Sequence, residues 1–311
     1  MKRFLLVVSL FAVGIALASA QTLAKPAKQL NIVLIVKDMT NPFFVDMKAG
    51  GAAAAKKYGV NFTCLSPEKS TVDQQIKIME DMIQKKVDAI VIAPIDSNGI
   101  ISGVERANAA KIPVMACNTM INGGDIIGFA GVDEVSSGKS LGDYFVKKLN
   151  GKGNIVILEG TTGASSAQAY LQGVHQAIDK YPDIKVLAST TAKYNREMGM
   201  TVMEDLLTRF PNIDAALCMN DTMALGAKEA VQEAHRKVMI GGINALPETL
   251  EAVKKGEIEV TVNASGYLQG YAATELTCKY LLTGVKPPAV TKLGDPLAVS
   301  AANLEQFLQS R

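Results

Sequence analysis

The chain has 311 residues, with 32 Lys and Arg against 30 Asp and Glu. Two of the basic residues, Lys2 and Arg3, precede an apolar run, and the remaining chain carries as many basic as acidic residues (32 − 2 = 30). A chain without a basic excess has no electrostatic footprint for nucleic acid or for an anionic membrane surface. We therefore expect no nucleic acid among its partners.

The first 20 residues have the pattern of a cleaved export signal. Lys2 and Arg3 are followed by an apolar segment, residues 4–17, and by the small-residue sequence ASA at 18–20. The apolar segment is short for a membrane span. Because no Cys stands at the cleavage point, no lipid anchor is expected. The sequence predicts a signal peptide at 1–20 and export of the mature protein to the periplasm.

The first half of the mature chain alternates short apolar runs with helical segments. The run at 89–93 (AIVIA) is uniformly apolar, which is typical of a strand buried on both faces. Val72, Ile76, Met79 and Ile83 recur at helical spacing. The predicted strands are 31–36, 61–66, 89–93, 114–117 and 129–132, and the predicted helices are 43–58, 72–85, 100–110 and 138–149.

The alternation starts again after the Gly-rich segment at 151–153. Two successive strand–helix sets of similar size predict an α/β protein. We expect two Rossmann-like lobes, each a parallel sheet with helices on both faces. In this half the predicted strands are 154–158, 185–188, 215–219, 238–243 and 260–263, and the predicted helices are 165–180, 196–209, 222–234, 247–255 and 267–282.

The loop after the first predicted strand has the composition of a ligand site. Asn41 offers both a donor and an acceptor, and Pro42 suits the first turn of a helix. Phe43 and Phe44 follow on that turn. Two aromatic rings beside an amide can contact the C–H faces and the hydroxyls of a polyhydroxylated molecule. The alternative is an ordinary strand–loop–helix corner with two core phenylalanines.

Asparagine follows four other predicted strands: Asn118, Asn220, Asn244 and Asn263. Because the carboxyl ends of parallel strands gather at one edge of a sheet, these amides could converge on a cleft between the lobes. Asparagine also favours helix caps and turns, so each one alone has a structural explanation. Together they indicate a polar binding cleft.

Five segments carry a resemblance to a known family. The chain resembles the periplasmic sugar-binding proteins of ABC importers, the group that includes ribose-binding protein, over about residues 29–299. The absence of a DNA-binding region separates it from the related sugar-responsive repressors. The segments are TNPFF (40–44), VDAIVIAP (87–94), IPV (112–114), NDTMALGA (220–227) and GYLQGY (266–271).

The resemblance implies a type I periplasmic binding fold in which the chain crosses a hinge three times. The N-terminal lobe would hold residues 29–132 plus 264–293, and the C-terminal lobe residues 133–263 plus 294–311. Ligand would bind between the lobes, and hinge closure would bury it.

The resemblance also places residues in the ligand pocket. Asn41, Phe43 and Phe44 match the family pattern. Asn220 stands where an asparagine binds sugar hydroxyls, and Tyr194 stands where an aromatic side chain packs on the sugar ring. These positions are expected to bind ligand.

Five positions depart from the ribose-type pocket. Asn118-Thr119 replaces an Asp-Arg pair, Tyr170 replaces an arginine, Asn244 replaces an Asp, and Ala264 replaces a glutamine. Charged pairs bind sugar hydroxyls more strongly than neutral groups do. The replacement therefore favours a ligand with fewer hydroxyls or more apolar surface.

Lys37 and Asp38 could supply charge that the pocket otherwise lacks. Some relatives that bind the furanosyl signal autoinducer-2 place a lysine six residues before the aromatic pair, as Lys37 stands before Phe43. In the alternative interpretation, Lys37 extends over the cleft rim without touching ligand.

Cysteines and histidines give no sign of a metal site or of catalysis. Cys64, Cys117, Cys218 and Cys278 are too widely spaced for a short metal-binding motif. Because the first three lie in apolar, strand-like runs, buried thiols are favoured over disulfides, whose pairing stays open. The chain contains two His and no phosphate-binding loop, so no cofactor and no enzymatic activity are expected.

The sequence therefore predicts a monomeric periplasmic solute-binding protein that captures a small neutral sugar, polyol or related compound and delivers it to an ABC permease. The alternative is a sensor that presents a furanosyl or nucleoside-like ligand to a chemoreceptor or sensor kinase. Of the three hypotheses, enzymatic activity is the least favoured.

Overall fold

A computed structural model describes residues 25–310, so the predicted signal peptide lies outside the described residues. Within them the chain forms two six-stranded sheets, with helices packed on both. No helix in this part of the chain is long and apolar enough to cross a membrane.

The first sheet is parallel throughout, in the strand order β2-β1-β3-β4-β5-β11. At its centre, Leu34 lies opposite Cys64 on one side and Val91 on the other. Its elements are a 3₁₀ turn at Ala27–Gln29, β1 Asn31–Ile35, α1 Pro42–Tyr58, β2 Asn61–Leu65, α2 Val72–Gln84, β3 Ala89–Ile92, α3 Ile101–Ala109, β4 Val114–Cys117, β5 Gly128–Gly131, α9 Gly266–Thr283 and β11 Val290–Lys292.

The second sheet has the strand order β7-β6-β8-β9-β10-β12. Its last strand, β12, runs antiparallel to β10, whereas the other pairs are parallel. The elements are α4 Glu134–Lys148, β6 Gly153–Glu159, α5 Ser165–Ile178, β7 Ile184–Thr191, α6 Arg196–Arg209, β8 Ala215–Cys218, α7 Asp221–Glu233, β9 Met239–Ile243, α8 Pro247–Lys254, β10 Val260–Val262, β12 Ala298–Ser300 and α10 Leu304–Gln309.

Central strands of both sheets are buried along their whole length, as the apolar runs predict. The residues of β3, β4 and β8 are all buried, and they pack under helices on each face. Each buried Leu, Ile or Val contributes about 1.5–3 kcal/mol relative to an exposed one. The prediction of two α/β lobes, each built on a largely parallel sheet, is confirmed.

Three segments connect the two sheets, at 132–133, 263–265 and 293–297. The first crossing ends at Asp133, whose carboxylate caps α4 by accepting the N–H of Ser136 (3.0 Å) and also pairs with Lys292 at the end of β11. Because of this cap, α4 begins at Glu134, four residues before the predicted start. The precise assignment of the lobe boundaries stays a prediction.

The four cysteines are free thiols in this structure. Cys117 and Cys218 are buried as expected, whereas Cys64, for which burial was also expected, is only partly buried. Cys278 is buried too. Burial raises the pKa of the Cys64 thiol to about 11 and that of Cys117 to about 12. Thiols with such pKa values are poor nucleophiles near neutral pH, because the thiolate is the reactive form.

Candidate functional site

A cavity of about 350 Å³ lies between the two sheets, at the carboxyl ends of their parallel strands. Loops after β1, β2, β3 and β4 line it from one side, and loops after β6, β7, β8 and β9 line it from the other. Ligands bind at this edge in open α/β sheets. The cavity is therefore the candidate site.

Aromatic side chains form much of the apolar wall. Phe43 and Phe44, both buried, meet edge to face with ring centroids 5.1 Å apart. Tyr170 on α5 and Tyr194 in the loop after β7 line the opposite side. Rings on two sides of a small cavity can contact both faces of a flat, partly apolar ligand.

Asn41 and three of the four asparagines that follow other predicted strands (Asn118, Asn220 and Asn244) line the cavity, whereas Asn263 does not. The four that line it differ in what they can offer a ligand. Asn41 and Asn220 are helix caps: their side-chain oxygens accept the N–H of Phe43 (3.0 Å) and of Met223 (2.9 Å). The Asn220 NH₂ also donates to Thr222 Oγ1 and to a backbone carbonyl. Most of the Asn220 amide is thus committed to the protein.

Asn118 and Asn244 keep more of their hydrogen-bonding capacity. The Asn118 NH₂ donates to Gln269 Oε1 at 3.3 Å, and its Oδ1 accepts the Thr119 hydroxyl at 3.4 Å, which leaves one lone pair of Oδ1 and one N–H for a ligand. Asn244 is 7% exposed, and its side chain makes no hydrogen bond to any described residue. Because buried amides are normally paired, Asn244 is the strongest candidate for a ligand contact.

Lys37 lies inside the cleft, not at its rim. The residue is 6% exposed, and its Nζ donates to Thr119 Oγ1 at 2.7 Å. Thr119 Oγ1 in turn lies 3.0 Å from Ser166 Oγ on α5. This chain of polar groups joins the loops after β1 and β4 of the first sheet to a helix of the second.

The Lys37 ammonium has little compensation for its burial. Among the described residues no carboxylate lies within 4.0 Å of Nζ, which instead lies 5.7 Å from the centroid of the Tyr194 ring. Burial lowers the pKa of Lys37 to about 8, against a smaller raising effect of Glu134. Burial also raises the pKa of Glu134, at the start of α4, to about 7. A ligand oxygen could satisfy the free N–H groups of Lys37.

Loops of the two sheets touch at one side of the cavity. The N–H of Ser97, after β3, donates to the Gly163 carbonyl at 3.0 Å, and the N–H of Ser165 donates back to Ser97 Oγ at 3.0 Å. Ser165 Oγ also accepts the N–H of Met120 at 3.1 Å. This is the closed arrangement of a cleft, in which a bound molecule is shielded from solvent.

The structure brings together nine of the ten residues that the sequence proposes for the site. The tenth, Thr119, lies behind the lining, where it holds Lys37. Asp38, which the sequence named beside Lys37 as a source of charge, is half-buried and lines the cavity. The exposed side chains of Lys193 and Glu197 also line it, and these two charges were not expected. The other lining residues that were not proposed are Ser70, Ile95, Thr161, Ser166, Asn195, Met198 and Met219.

Three of the residues that were missed, Lys193, Asn195 and Met219, are direct neighbours in sequence of a proposed residue. Asn195 and Met198 follow Tyr194, and Met219 precedes Asn220. Ser166 had a visible signal, since it is on the first turn of a helix after a Gly-Thr-rich loop that follows a strand. Ser70 and Ile95 carry no local pattern that marks them.

The protein has two α/β lobes, and a cavity lies between them at the carboxyl ends of their parallel strands. This arrangement is typical of two-lobed ligand-binding proteins. A family model described as "Periplasmic binding protein domain" matches residues 32–284. The chain belongs to the periplasmic binding protein family, and the predicted family is confirmed.

Relatives and solved structures are similar over most of their length. The ribose import binding protein RbsB of Salmonella typhimurium is 34% identical over 84% of this chain and 86% of its own. A xylitol-binding protein of Mycolicibacterium smegmatis is 32% identical over 90% of this chain and 82% of its own. An ABC transporter periplasmic solute-binding protein of Actinobacillus succinogenes with bound D-allose is 30% identical, with a TM-score of 0.83 over 89% of this chain and all of its own. All three are binding proteins.

Proposed function

We propose that this protein captures a small neutral sugar, polyol or related compound between its lobes in the periplasm and delivers it to an ABC permease. The observation that carries the proposal is the closed cavity of about 350 Å³, with aromatic walls and the unpaired amide of Asn244. Its volume is at the lower end of the range for small-molecule pockets, roughly 300–1,000 Å³. The relatives named above bind ribose, xylitol and allose.

The polar groups that remain free in the cavity fit a polyhydroxylated molecule. Lys37 and the NH₂ group of Asn41 offer donors, the carbonyl oxygen of Asn118 offers an acceptor, and Asn244 offers both. A hydroxyl group both donates and accepts, so it can bridge such neighbours. The Phe and Tyr rings contact the C–H faces between hydroxyls.

The mechanism is capture followed by closure. The contacts of Ser97 and Thr119 with the start of α5 form only when the loops of the two sheets meet. A ligand that bonds to both sets of loops therefore stabilises the closed state. The closed surface, composed of both lobes, is what a permease can recognise. We propose a monomer with the permease as its partner, and the chemoreceptor stays a prediction.

A thermal-shift screen tests the proposal. The mature protein is heated with D-ribose, D-allose, xylitol, myo-inositol and a set of sugar acids, each at saturating concentration. A ligand at 100 times its Kd stabilises the native state by about 2.7 kcal/mol, which raises Tm by several degrees. A rise with a neutral sugar or polyol supports the proposal. If only sugar acids raise Tm, the neutral ligand class is wrong, and if nothing does, the proposal fails.

The contrast between Asn244 and Asn220 gives a prediction for whichever of these compounds binds. Asn244→Ala should raise the Kd of the bound compound roughly 5- to 150-fold, because ligand hydroxyls lose their partner. This corresponds to a loss of about 1–3 kcal/mol in the free energy of binding. Stability in urea should stay near that of the unaltered protein. Asn220→Ala should cost about 1 kcal/mol of stability, because it removes the cap of α7.

Calorimetric titration and urea unfolding of both variants check this prediction. If Asn244→Ala and Asn220→Ala lost affinity to the same extent and stability to the same extent, the two amides would have the same role, and the distinction drawn from the structure would be wrong. Ser265→Ala, which removes the cap of α9, serves as a control for the loss of a cap outside the cavity lining.

Lys37 should make ligand binding depend on pH. Ligand oxygens bond to the ammonium form, whose pKa in the free protein is lowered by burial to about 8. Binding then raises that pKa, so affinity is full below pH 8 and falls as pH rises through the pKa of the complex. The free energy of unfolding of the ligand-free protein should instead rise with pH between 8 and 10.5. In that range Lys37 binds more protons in the unfolded chain than in the folded one.

Titrations at pH 6.5 to 10 measure the effect. Lys37→Met should lower affinity at pH 7 and abolish the decline above pH 8. Lys193→Met, which alters an exposed lysine of the same cavity, should keep the decline. A decline that persists in Lys37→Met would assign it to another group.

A further inference from the structure

The loop between β9 and α8, residues 244–246, holds an unusual backbone conformation. Asn244 has φ 134° and Ala245 has φ 55°, although neither is glycine. Side chains rarely adopt these values, so the surrounding structure must hold the loop in place. The conformation directs the Asn244 side chain to the cavity, where its amide has no partner among the described residues.

Three consecutive backbone N–H groups fix this loop. The N–H of Asn244 donates to the carbonyl of Val262 on β10 at 2.8 Å. The next two donate to side chains: Ala245 N–H to Thr261 Oγ1 at 3.1 Å, and Leu246 N–H to Asp221 Oδ2 at 2.8 Å. Two side chains therefore replace the ladder that a regular strand would supply.

Asp221 and Thr261 are themselves joined. The Thr261 hydroxyl donates to Asp221 Oδ1 at 2.7 Å, and both residues are fully buried. The carboxylate lies against Gly242 of β9, where the Cβ of any larger residue would overlap it. Asn220 makes the cap of α7, and this leaves the carboxylate of the neighbouring Asp221 for the loop.

Asp221 has no ion-pair partner in the described structure, and burial of a carboxylate in this way costs free energy. Burial raises the pKa of Asp221 to about 6, against the lowering effect of the bonds from Thr261 and Leu246. At neutral pH the group is ionised, and both of its oxygens accept a hydrogen bond. The Asp221 carboxylate therefore acts as the acceptor for two donors, the Thr261 hydroxyl and the Leu246 N–H.

We propose that Asp221 and Thr261 form a positioning pair that holds residues 244–246 so that the Asn244 amide faces the ligand. Neither side chain lines the cavity, so the pair acts through the loop. The inference rests on the proposed function, because it names how one residue of that same site is presented.

Amide hydrogen exchange tests the pair without any ligand. NMR should show the N–H of Leu246 exchanging at least about tenfold faster in Asp221→Asn, and the N–H of Ala245 in Thr261→Val, because Asp221 is the acceptor for Leu246 and Thr261 the acceptor for Ala245. Thr261→Ser keeps the hydroxyl and should exchange at nearly the original rate. Thr274→Val, at another fully buried threonine on α9, is the matched control and should leave the loop unchanged.

Titration with D-ribose, D-allose, xylitol and myo-inositol then tests how the pair acts. Thr261→Val should raise the Kd of the compounds that bind by about tenfold, and Thr261→Ser should restore it. In a protein that already carries Asn244→Ala, Thr261→Val should change the Kd little further. If Thr261→Val instead caused a general loss of structure, it would weaken binding equally with and without Asn244.

The two experiments separate the inference from the function on which it rests. Unchanged exchange in both Asp221→Asn and Thr261→Val overturns the positioning pair, as does an equal affinity loss with and without Asn244. If none of the four compounds binds the unaltered protein, the proposed function fails, and the exchange rates still decide whether the pair holds the loop.

Discussion

Gly163→Val should weaken sugar or polyol binding about 100-fold or more while leaving each lobe folded. Gly163 lies in the loop after β6 and touches the loop after β3 across the cleft. A Cβ at this position would lie 2.6 Å from the Asp96 side-chain carbon Cγ and would overlap its carboxylate. A branched side chain there would therefore hold the lobes apart. If only about 1% of molecules can close, the apparent Kd rises by about 100-fold.

Asp96 cannot easily turn away from such a side chain. Its Oδ1 accepts the N–H groups of Asn98 (2.9 Å) and Gly99 (2.7 Å), a turn that starts the segment leading into α3. The bond from Ser97 N–H to the Gly163 carbonyl also requires close approach of the two backbones. Relief of the clash must come from opening the cleft.

Small-angle scattering and calorimetry of Gly163→Val check this expectation, with the compound from the thermal-shift screen as titrant. The variant should keep the expanded shape of an open protein when ligand is added, and its Tm without ligand should change little. Thr162→Val, at the exposed neighbouring residue, should close and bind normally. A compact, tightly binding Gly163→Val protein would show that closure does not need this contact.

The fold could be predicted from the sequence because its signals are local and repeated. Uniformly apolar runs such as 89–93 mark strands buried on both faces, and helical spacing marks the segments between them. The short strands Val290–Lys292 and Ala298–Ser300 carry no such signal. They exist because the chain returns to the free edges of the two sheets, which is a tertiary effect.

The candidate site could be located from sequence, but the roles within it could not. Asn220 and Asn244 are the same residue type at the same place after a strand. Asn220 has an extended backbone and caps the helix that follows, whereas Asn244 has φ 134° and keeps its amide free. The difference comes from Asp221 and Thr261, and Thr261 is 17 residues from Asn244 (261 − 244 = 17).

The same limit applies to charge. The sequence left open whether Lys37 lies over the rim or contacts ligand, and its burial follows from the loops that enclose it. Thr119 was proposed as a ligand-binding residue, yet it lies behind the cavity lining and accepts a hydrogen bond from the Lys37 ammonium. Which side chains pair depends on distances across the cleft, and no local pattern encodes those distances.

Gly138→Ala should destabilise the second lobe by about 2–3 kcal/mol, although the same change stabilises most helices by about 0.5–1 kcal/mol. Gly138 lies on α4 where that helix meets α5. A Cβ there would lie 2.8 Å from the carbonyl carbon of Tyr170 and 2.9 Å from its Cα. Both contacts are backbone atoms, so the two helices must separate to admit a methyl group.

Separation of these helices should also reach the cavity, because Tyr170 lines it. Urea unfolding of Gly138→Ala measures the stability loss, and titration with the same compound should show weaker binding. Ser140→Ala, two residues along α4 and half-buried, should be neutral or slightly stabilising, because alanine is the better helix former. A Gly138→Ala protein as stable as the unaltered one would mean that α4 and α5 do not approach so closely. Loss of stability without loss of affinity would mean that the Tyr170 ring stays in place when its backbone moves, and that α5 positions it less rigidly than the close contact at Gly138 implies.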